Sequence, residues 1–407
     1  MLQRMESTWW SRNGSHVLHA GAAMLAAVAA LKLGTELYRL VADPGFTGAI
    51  DLRLRHTEVR QWFAGQPVYI TLSRIMYPPQ AYAVLWPFLG WLELPAARWL
   101  WAGTTVVVLV WLCRIAVRET GACTAGRAAS ALAVTMILSM NAVGVTVGNG
   151  QVSLHVVTAL VAGLLLLRRA DAGWLTDLAA AGLLLFAAIK PTLTAPFAWV
   201  ALVTTQRARP LVLTAAGYIV LTLIAARFQP EPAYGLVRQW LAQDRPVFST
   251  GYGDIQSMLA FLGRDSWAMP LAVLLLTGLG VWTWRQREVD VWILIGVAAL
   301  VARFWMYHRV YDDVLILLPM VALFRIAVGR APDVTQHATR AYAGTLLGIA
   351  IVAMLAPARL ETAAPPLNWL FIGGHIAVWL VMLAFLVGAA SAVVRRTASA
   401  SGEAQLV

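Results

Sequence analysis

The run Asp51-Leu-Arg-Leu-Arg-His-Thr-Glu58 sets two carboxylates among arginines just past the first long apolar segment of the chain. A carboxylate there can take a proton from a hydroxyl, and fixed arginines beside it can stabilise a developing anion. Three further sites carry polar chemistry that apolar helices do not need. Lys190-Pro191 interrupts a long apolar region, and an ionisable group at membrane depth is costly enough to point to a function. Gln151 follows the tight turn Gly148-Asn-Gly and begins the next apolar segment, where it could bind a hydroxyl. His308 and Asp312 stand four residues apart with Tyr311 between them, a spacing open to a metal or a proton relay. Each also has a plainer reading. Residues 51–58 could be a solvated helix with weak internal ion pairs, and Lys190 a snorkelling side chain. Asp312 and Asp313 could cap the helix they precede. The cap is the reading adopted for Asp313, and His308 is kept as a candidate for the site.

Residues 51–63 can form a helix lying at a membrane surface. Leu52, His56, Val59 and Phe63 would share one face, turned to lipid, and Asp51, Arg55 and Glu58 another, turned to water or substrate. The whole chain supports a membrane setting. Of 407 residues 60% are hydrophobic and 13% charged, against about 25% charged in soluble domains. Apolar runs recur along the length, and the 18 tryptophans suit interfacial belts. The net charge of +11 comes almost wholly from arginine, lysine occurring only at 32 and 190. Without a soluble basic domain this excess reads as topology and lipid contact, and nucleic-acid binding is excluded. Cys113 and Cys123 lie near an arginine-rich turn, and no disulfide is expected between them. The first apolar run reads as a retained helix rather than a cleaved signal. No nucleotide-binding loop, dinucleotide fingerprint or serine nucleophile elbow occurs, which argues against ATP-driven transport and against hydrolases of that kind.

The apolar runs predict an all-α polytopic helical membrane protein. It has about 12 transmembrane helices if 79–94 is a surface or re-entrant helix. That count puts the turns holding Arg114/Arg118/Arg127, Arg168/Arg169, Arg207/Arg209, Arg285/Arg287, Arg325/Arg330/Arg340 and Arg395/Arg396 on one side, with both termini. By the positive-inside rule that side is the cytoplasm. The opposite face then collects loop 44–95, Gln151, Lys190, loop 229–265 and the segment 307–312. One domain, 1–396, is expected, with a disordered tail at 397–407.

Asp51, Gly65-Gln-Pro-Val-Tyr69, Tyr77-Pro78-Pro79, Gly150-Gln151, Ile189-Lys190-Pro191 and His308-Arg-Val-Tyr311 together resemble, in order, glycosyltransferase family 87. This is a group of polyprenyl-phosphate-dependent membrane enzymes of GT-C architecture that includes mannosyl- and arabinofuranosyltransferases. The resemblance implies a first outer loop carrying a catalytic aspartate. It makes Asp51 a general base and puts His308 beside the donor phosphate, with Lys190 and Arg55 stabilising the departing phosphate. Tyr69, Tyr77, Gln151 and Tyr311 join the substrate-binding set, as does Glu58. Glu58 lies two helical turns from Asp51, so no paired-carboxylate metal site is expected, and no cofactor. The implied reaction is inverting transfer of a sugar, mannose first, from a polyprenyl-phosphate sugar donor to a glycolipid or glycan acceptor of the cell envelope. It would occur on the outer (periplasmic) face of the bacterial cytoplasmic membrane. Arabinofuranosyl or another hexosyl transfer is the alternative within the family. A lipid-linked sugar transporter or flippase is the rival outside it, although the polar groups gather at one face rather than at the midplane. A non-enzymatic scaffold would leave Asp51, Lys190 and His308 without a shared purpose.

Overall fold

The computed structural model describes residues 2–72, 77–170, 173–243, 253–332, 334 and 336–404, with side chains described from 16 to 393. Among these residues every regular element is helical. In chain order they are α1 (Leu2–Val41), α2 (Ile50–Phe63), α3 (Val68–Thr71), α4 (Pro79–Leu89), α5 (Leu94–Thr120), α6 (Ala122–Ala125) and α7 (Arg127–Ser139). Then come α8 (Asn141–Asn149), α9 (Ser153–Leu167), α10 (Trp174–Ala187), α11 (Pro191–Thr194), α12 (Phe197–Thr204), α13 (Arg209–Ala226) and α14 (Ala233–Leu241). The last are α15 (Ile255–Phe261), α16 (Ala268–Arg285), α17 (Val291–Trp305), α18 (Leu317–Ala327), α19 (His337–Leu355) and α20 (Leu367–Ala404). Short 3-10 turns cover Asp265–Trp267, Val310–Ile316 and Ala358–Leu360.

Six of these stretches are long and apolar enough to cross a bilayer: His16–Val41, Leu94–Thr120, Arg209–Ala226, Asp265–Arg285, His337–Leu355 and Leu367–Val393. The pair α7 and α8, bent by 50° at Met140, makes a seventh if taken as one span. Length and composition therefore support six or seven crossings among the described residues, where the sequence suggested about twelve. The difference has a physical cause. Helices α9, α10 and α17 are apolar but run 15, 14 and 15 residues, about 21–23 Å against a hydrocarbon core of roughly 30 Å. Each is cut short beside a polar segment. Helix α8 ends at Gly150, α9 starts at Ser153, α10 gives way to Lys190-Pro191, and α17 stops before His308-Arg309. These ends converge on one cleft, the setting in which broken backbone at membrane depth is tolerated.

The other ends of the same helices meet at arginines. Arg207 pairs with Asp177 near the start of α10, and its Nη2 donates to the Leu166 carbonyl near the end of α9 (3.0 Å). Arg209 reaches the same Asp177 at 3.3 Å. Arg325, late in α18, pairs with Asp290 at the start of α17 (2.6 Å) and also donates to the Glu119 carbonyl. Four helical strands of the bundle, α9, α10, α17 and the 310–327 segment, thus run from the cleft to an arginine cluster.

Helix α2 departs from the surface helix read in the sequence. Leu52, Val59 and Trp62 are fully buried, and they pack on protein rather than on lipid. Trp62 stacks on Tyr82 of α4 at 4.2 Å, and its Nε1 donates to the Ala225 carbonyl of α13 (2.9 Å). Trp62, absent from the four-residue stripe, is the anchor of that face. Helix α4 is 11 residues long, too short to cross, and buries Gln80, Tyr82, Leu85 and Leu89. Gln80 ties it to the Ala188 carbonyl just before Lys190 (3.2 Å). At the other end of the chain, α20 continues to Ala404, into the 397–407 tail expected to be disordered. Alanine-rich sequence extends an existing helix without a new nucleation step.

Candidate active site

The cleft, about 360 Å³, is lined from four directions. Ile50, Asp51, Leu54 and Arg55 come from α2, Val145 and Asn149 from α8, Lys190 from the break before α11 and Thr192 from α11 itself, and Tyr307, Arg309, Val310, Tyr311 and Asp312 from the segment after α17. Tyr77, Gln151, Ala358 and Glu361 complete it. Segments more than 300 residues apart in the chain meet here because the short helices all end at this level.

Asp51 is at the first turn of α2, whose start is fixed unusually. Ala49 takes a left-handed conformation (φ 52°), and its N–H donates to the Gly148 carbonyl of α8 (3.2 Å). A non-glycine residue there costs roughly 1–2 kcal/mol, and the strain stands next to the carboxylate it positions. Asn149 hydrogen-bonds the Asp51 side chain and is itself held by Arg39, which pairs with Glu36 at 2.8 Å. Oδ2 of Asp51 is buried and has no hydrogen-bond partner among the described residues. Burial raises the Asp51 carboxyl above the usual aspartate value, while Arg55, Lys190, Asn149 and Arg309 pull the other way. The outcome is a carboxylate more basic than usual that still has cations near it.

Lys190 does not snorkel. Its Nζ donates to Asp312 Oδ1 (2.5 Å) and to Ser153 Oγ (2.9 Å), and Ser153 Oγ donates to the same Asp312 oxygen (2.7 Å). The ammonium also stands 4.9 Å from the centre of the Tyr311 ring. Asp312 additionally accepts from the Arg309 N–H (3.3 Å), so the capping role read from the sequence and a charge-pairing role coexist in one side chain. Asp313, read as a cap, instead pairs with the buried Arg303. Two adjacent aspartates on a 3-10 turn point to different partners, a split that sequence spacing does not reveal.

Arg55 stacks over the Tyr77 ring at 4.5 Å and pairs with Glu58 at 2.6 Å. Tyr77 Oη donates to Gln151 Oε1 (3.1 Å), which also accepts from the Val152 N–H (2.8 Å). Of the residues expected at the site, Asp51, Arg55, Tyr77, Gln151, Lys190 and Tyr311 line one cleft. Glu58, Tyr69 and His308 do not line it. Glu58 lies beneath Arg55, and burial raises its carboxyl to about 7, with Arg55 opposing and Asp51 adding to the rise. Tyr69 Oη donates to the Tyr77 carbonyl (2.8 Å), bracing the strand of chain that carries Tyr77. His308 is fully buried, and its Nδ1 is 2.7 Å from the Met306 carbonyl. A carbonyl only accepts, so Nδ1 carries the proton. Burial drops the imidazole to about 4, Asp312 opposing, which keeps it neutral. Asn149, Ser153, Arg309 and Glu361 were missing from the sequence-based set, and Asp312 was read there as a partner of His308 or a cap, not of Lys190. Glu361 had a usable signal, being an acid in the connection between the last two apolar runs. Among the described residues, no group of three or more His, Cys, Asp or Glu side chains is placed to hold a metal ion. Cys113 and Cys123 are both free.

A raised carboxyl beside fixed cations, where apolar helices end together, makes this cleft the candidate site of a membrane-bound enzyme. Residues 76–328, more than half of the chain, match the profile of glycosyltransferase family 87, and the chain belongs to that family. It is accordingly a glycosyltransferase. No curated protein and no solved structure matches it. The match takes in Tyr77, Gln151, Lys190, His308 and Tyr311, while Asp51, Arg55, Glu58 and Tyr69 precede it and Glu361 follows it.

Proposed function

We propose that this cleft transfers a hexose, mannose first, from a polyprenyl-phosphate donor to a glycolipid or glycan acceptor of the cell envelope, with inversion. The observation that carries the reading is the unpartnered Oδ2 of Asp51, in one cleft with Arg55, Lys190 and Arg309. In the step envisaged, an acceptor hydroxyl gives its proton to Asp51 as its oxygen attacks the anomeric carbon. The bond from that carbon to the phosphate oxygen breaks on the far face. The polyprenyl phosphate leaves with the electron pair, becoming a dianion. Lys190 is held by Asp312 and Ser153, and Arg55 by Glu58 and Tyr77, so neither cation has to reorganise as that charge develops. One base and in-line attack give inversion. His308, neutral and behind the wall, supports the segment that carries Arg309 and Asp312.

The distribution of charge supports an outward-facing cleft. Arginines gather at the ends of the helices away from the cleft, and such ends face the cytoplasm. The cleft then opens outward with both termini inside. Sugar nucleotides do not reach that face, which favours a lipid-borne donor. The test is incubation of the purified protein with polyprenyl-phosphate mannose, glucose, galactose and arabinofuranose and an envelope glycolipid extract, with product analysis by mass spectrometry and NMR. Transfer from one of these with an inverted anomeric centre is expected. Transfer only from a nucleotide sugar, or with retention, would refute the proposal.

A further inference from the structure

Glu361 is the cleft carboxylate that the mechanism above leaves unused, Asp51 serving there as base and Asp312 holding Lys190. It follows the Ala358–Leu360 turn between α19 and α20 and lines the cleft that also holds Asp51. It borders as well a narrow recess formed with Arg303, Asp313 and His375. Its carboxylate forms no hydrogen bond or ion pair with another described residue. The other charged groups of the cleft are held: Asp312 by Lys190, Arg55 by Glu58, and Asp51 by Asn149. A carboxyl turned to a cleft and left unengaged by the protein is equipped to meet a ligand.

We propose that Glu361 is a sugar-specificity residue, its carboxyl hydrogen-bonding one or more hydroxyls of the hexose being transferred. This rests on the reading of the cleft as the transfer site. Charge decides which part of the donor it meets. Asp51 has the cations Arg55, Lys190 and Arg309 for neighbours, which suits phosphate. Glu361 has Asp313 and Asp254 as like charges, against Arg303 and Arg309. With two acids set against two arginines, that side offers a phosphate dianion no net attraction, whereas a neutral sugar ring meets no penalty there. Burial, reinforced by Asp313, raises the Glu361 carboxyl to about 8, with Arg303 and Arg309 opposing and Asp254 adding. Below that pH it is protonated and can both donate to a hydroxyl and accept from one. His375, across the narrow recess, is the remaining titratable group on α20 that faces this cluster. Asp51 and Glu361, two carboxyls in one cleft with opposite surroundings, would thus divide proton acceptance from hydroxyl recognition.

The test uses the full-length protein in lipid nanodiscs with polyprenyl-phosphate mannose, or the donor the panel above identifies, and its monodeoxy analogues. Glu361→Ala is expected to lower kcat/KM on the full donor on the order of tenfold, the scale of a lost hydrogen bond or two. It should cause no further loss on the one analogue lacking the recognised hydroxyl. Glu361→Gln should keep most of the rate at neutral pH. It should also abolish the decline in kcat/KM that the wild type shows as pH rises through about 8, when Glu361 ionises. Equal losses for Glu361→Ala on every analogue, or no loss on any, would overturn the proposal, as would an unchanged alkaline limb in Glu361→Gln. Asp51→Asn in the same assay separates the two readings. If it transfers normally, the cleft reading fails and this inference with it. If it is inactive while Glu361→Ala is unimpaired, only the inference fails.

Discussion

At the scale of single residues, Asp51 combines two properties that usually exclude each other. It is buried with an unpartnered oxygen, yet has cations on hand. Its raised carboxyl gives the sign of two effects. In the proposed role of base it works only when ionised, so kcat/KM should rise with pH through a limb above the usual aspartate range. Asp51→Asn should lose that limb and about 10²–10⁴-fold in rate. Stability runs the other way. A carboxyl whose folded-state pKa is raised contributes stability at low pH that is lost as pH rises through the folded value. The neutral Asn should therefore leave the melting temperature at pH 7 unchanged or raise it. A variant that is inactive because it melts early would remove Asp51 from the mechanism. Asp51 was legible in the sequence because an acid beside arginines at the end of an apolar run is out of place. Lys190 and Gln151 were legible as polar side chains that interrupt or open apolar runs. Ser153 and Asn149 were not, because serine and asparagine at helix ends are ordinary there.

At the scale of elements, the site depends on the contact between α2 and the end of α8. Gly150 closes α8 at φ 65°, and a Cβ added there would sit 2.6 Å from Leu52 Cβ on the neighbouring turn of α2. Gly150→Ala has two costs, a left-handed backbone at roughly 1–2 kcal/mol and a push on the helix that carries Asp51. Differential scanning fluorimetry in detergent should show a lower melting temperature. The surviving folded enzyme should also lose kcat at least tenfold, because a displacement of the proposed base by even an ångström is expensive. A variant with wild-type kcat would mean that α2 tolerates the shift and that its docking on α8 does not set the geometry. The sequence marked Gly148-Asn-Gly as a turn but gave no sign that α2 packs against it. Period alone shows that one face of α2 is apolar. Whether lipid or protein covers it depends on Trp62, Tyr82 and Ala225, which lie far apart in the chain.

At the scale of the whole molecule, the helix count and the site are one question. Six helices are long and apolar enough to cross, while α9, α10 and α17 fall short by about one and a half turns and end where the cleft begins. A run of apolar residues tells where a helix is but not how much bilayer it covers, so the sequence revealed the all-helical order and left the depth of the cleft unseen. If each short helix still counts as one passage, cleft ends and arginine ends alternate along the chain as twelve passages require. Ala170, beyond the end of α9, and Gly235, in α14, then lie on opposite sides of the membrane. Cys123 supplies an internal reference, because it is free, exposed and in the short α6 that follows α5, on the same side as Ala170. In spheroplasts, an impermeant maleimide should label Gly235→Cys from outside in a chain lacking Cys113 and Cys123. Ala170→Cys in that background, and native Cys123, should react only after permeabilisation. Labelling of 170 and 235 from one side would mean that a short helix turns back within the bilayer, and the outward opening of the cleft would have to be abandoned.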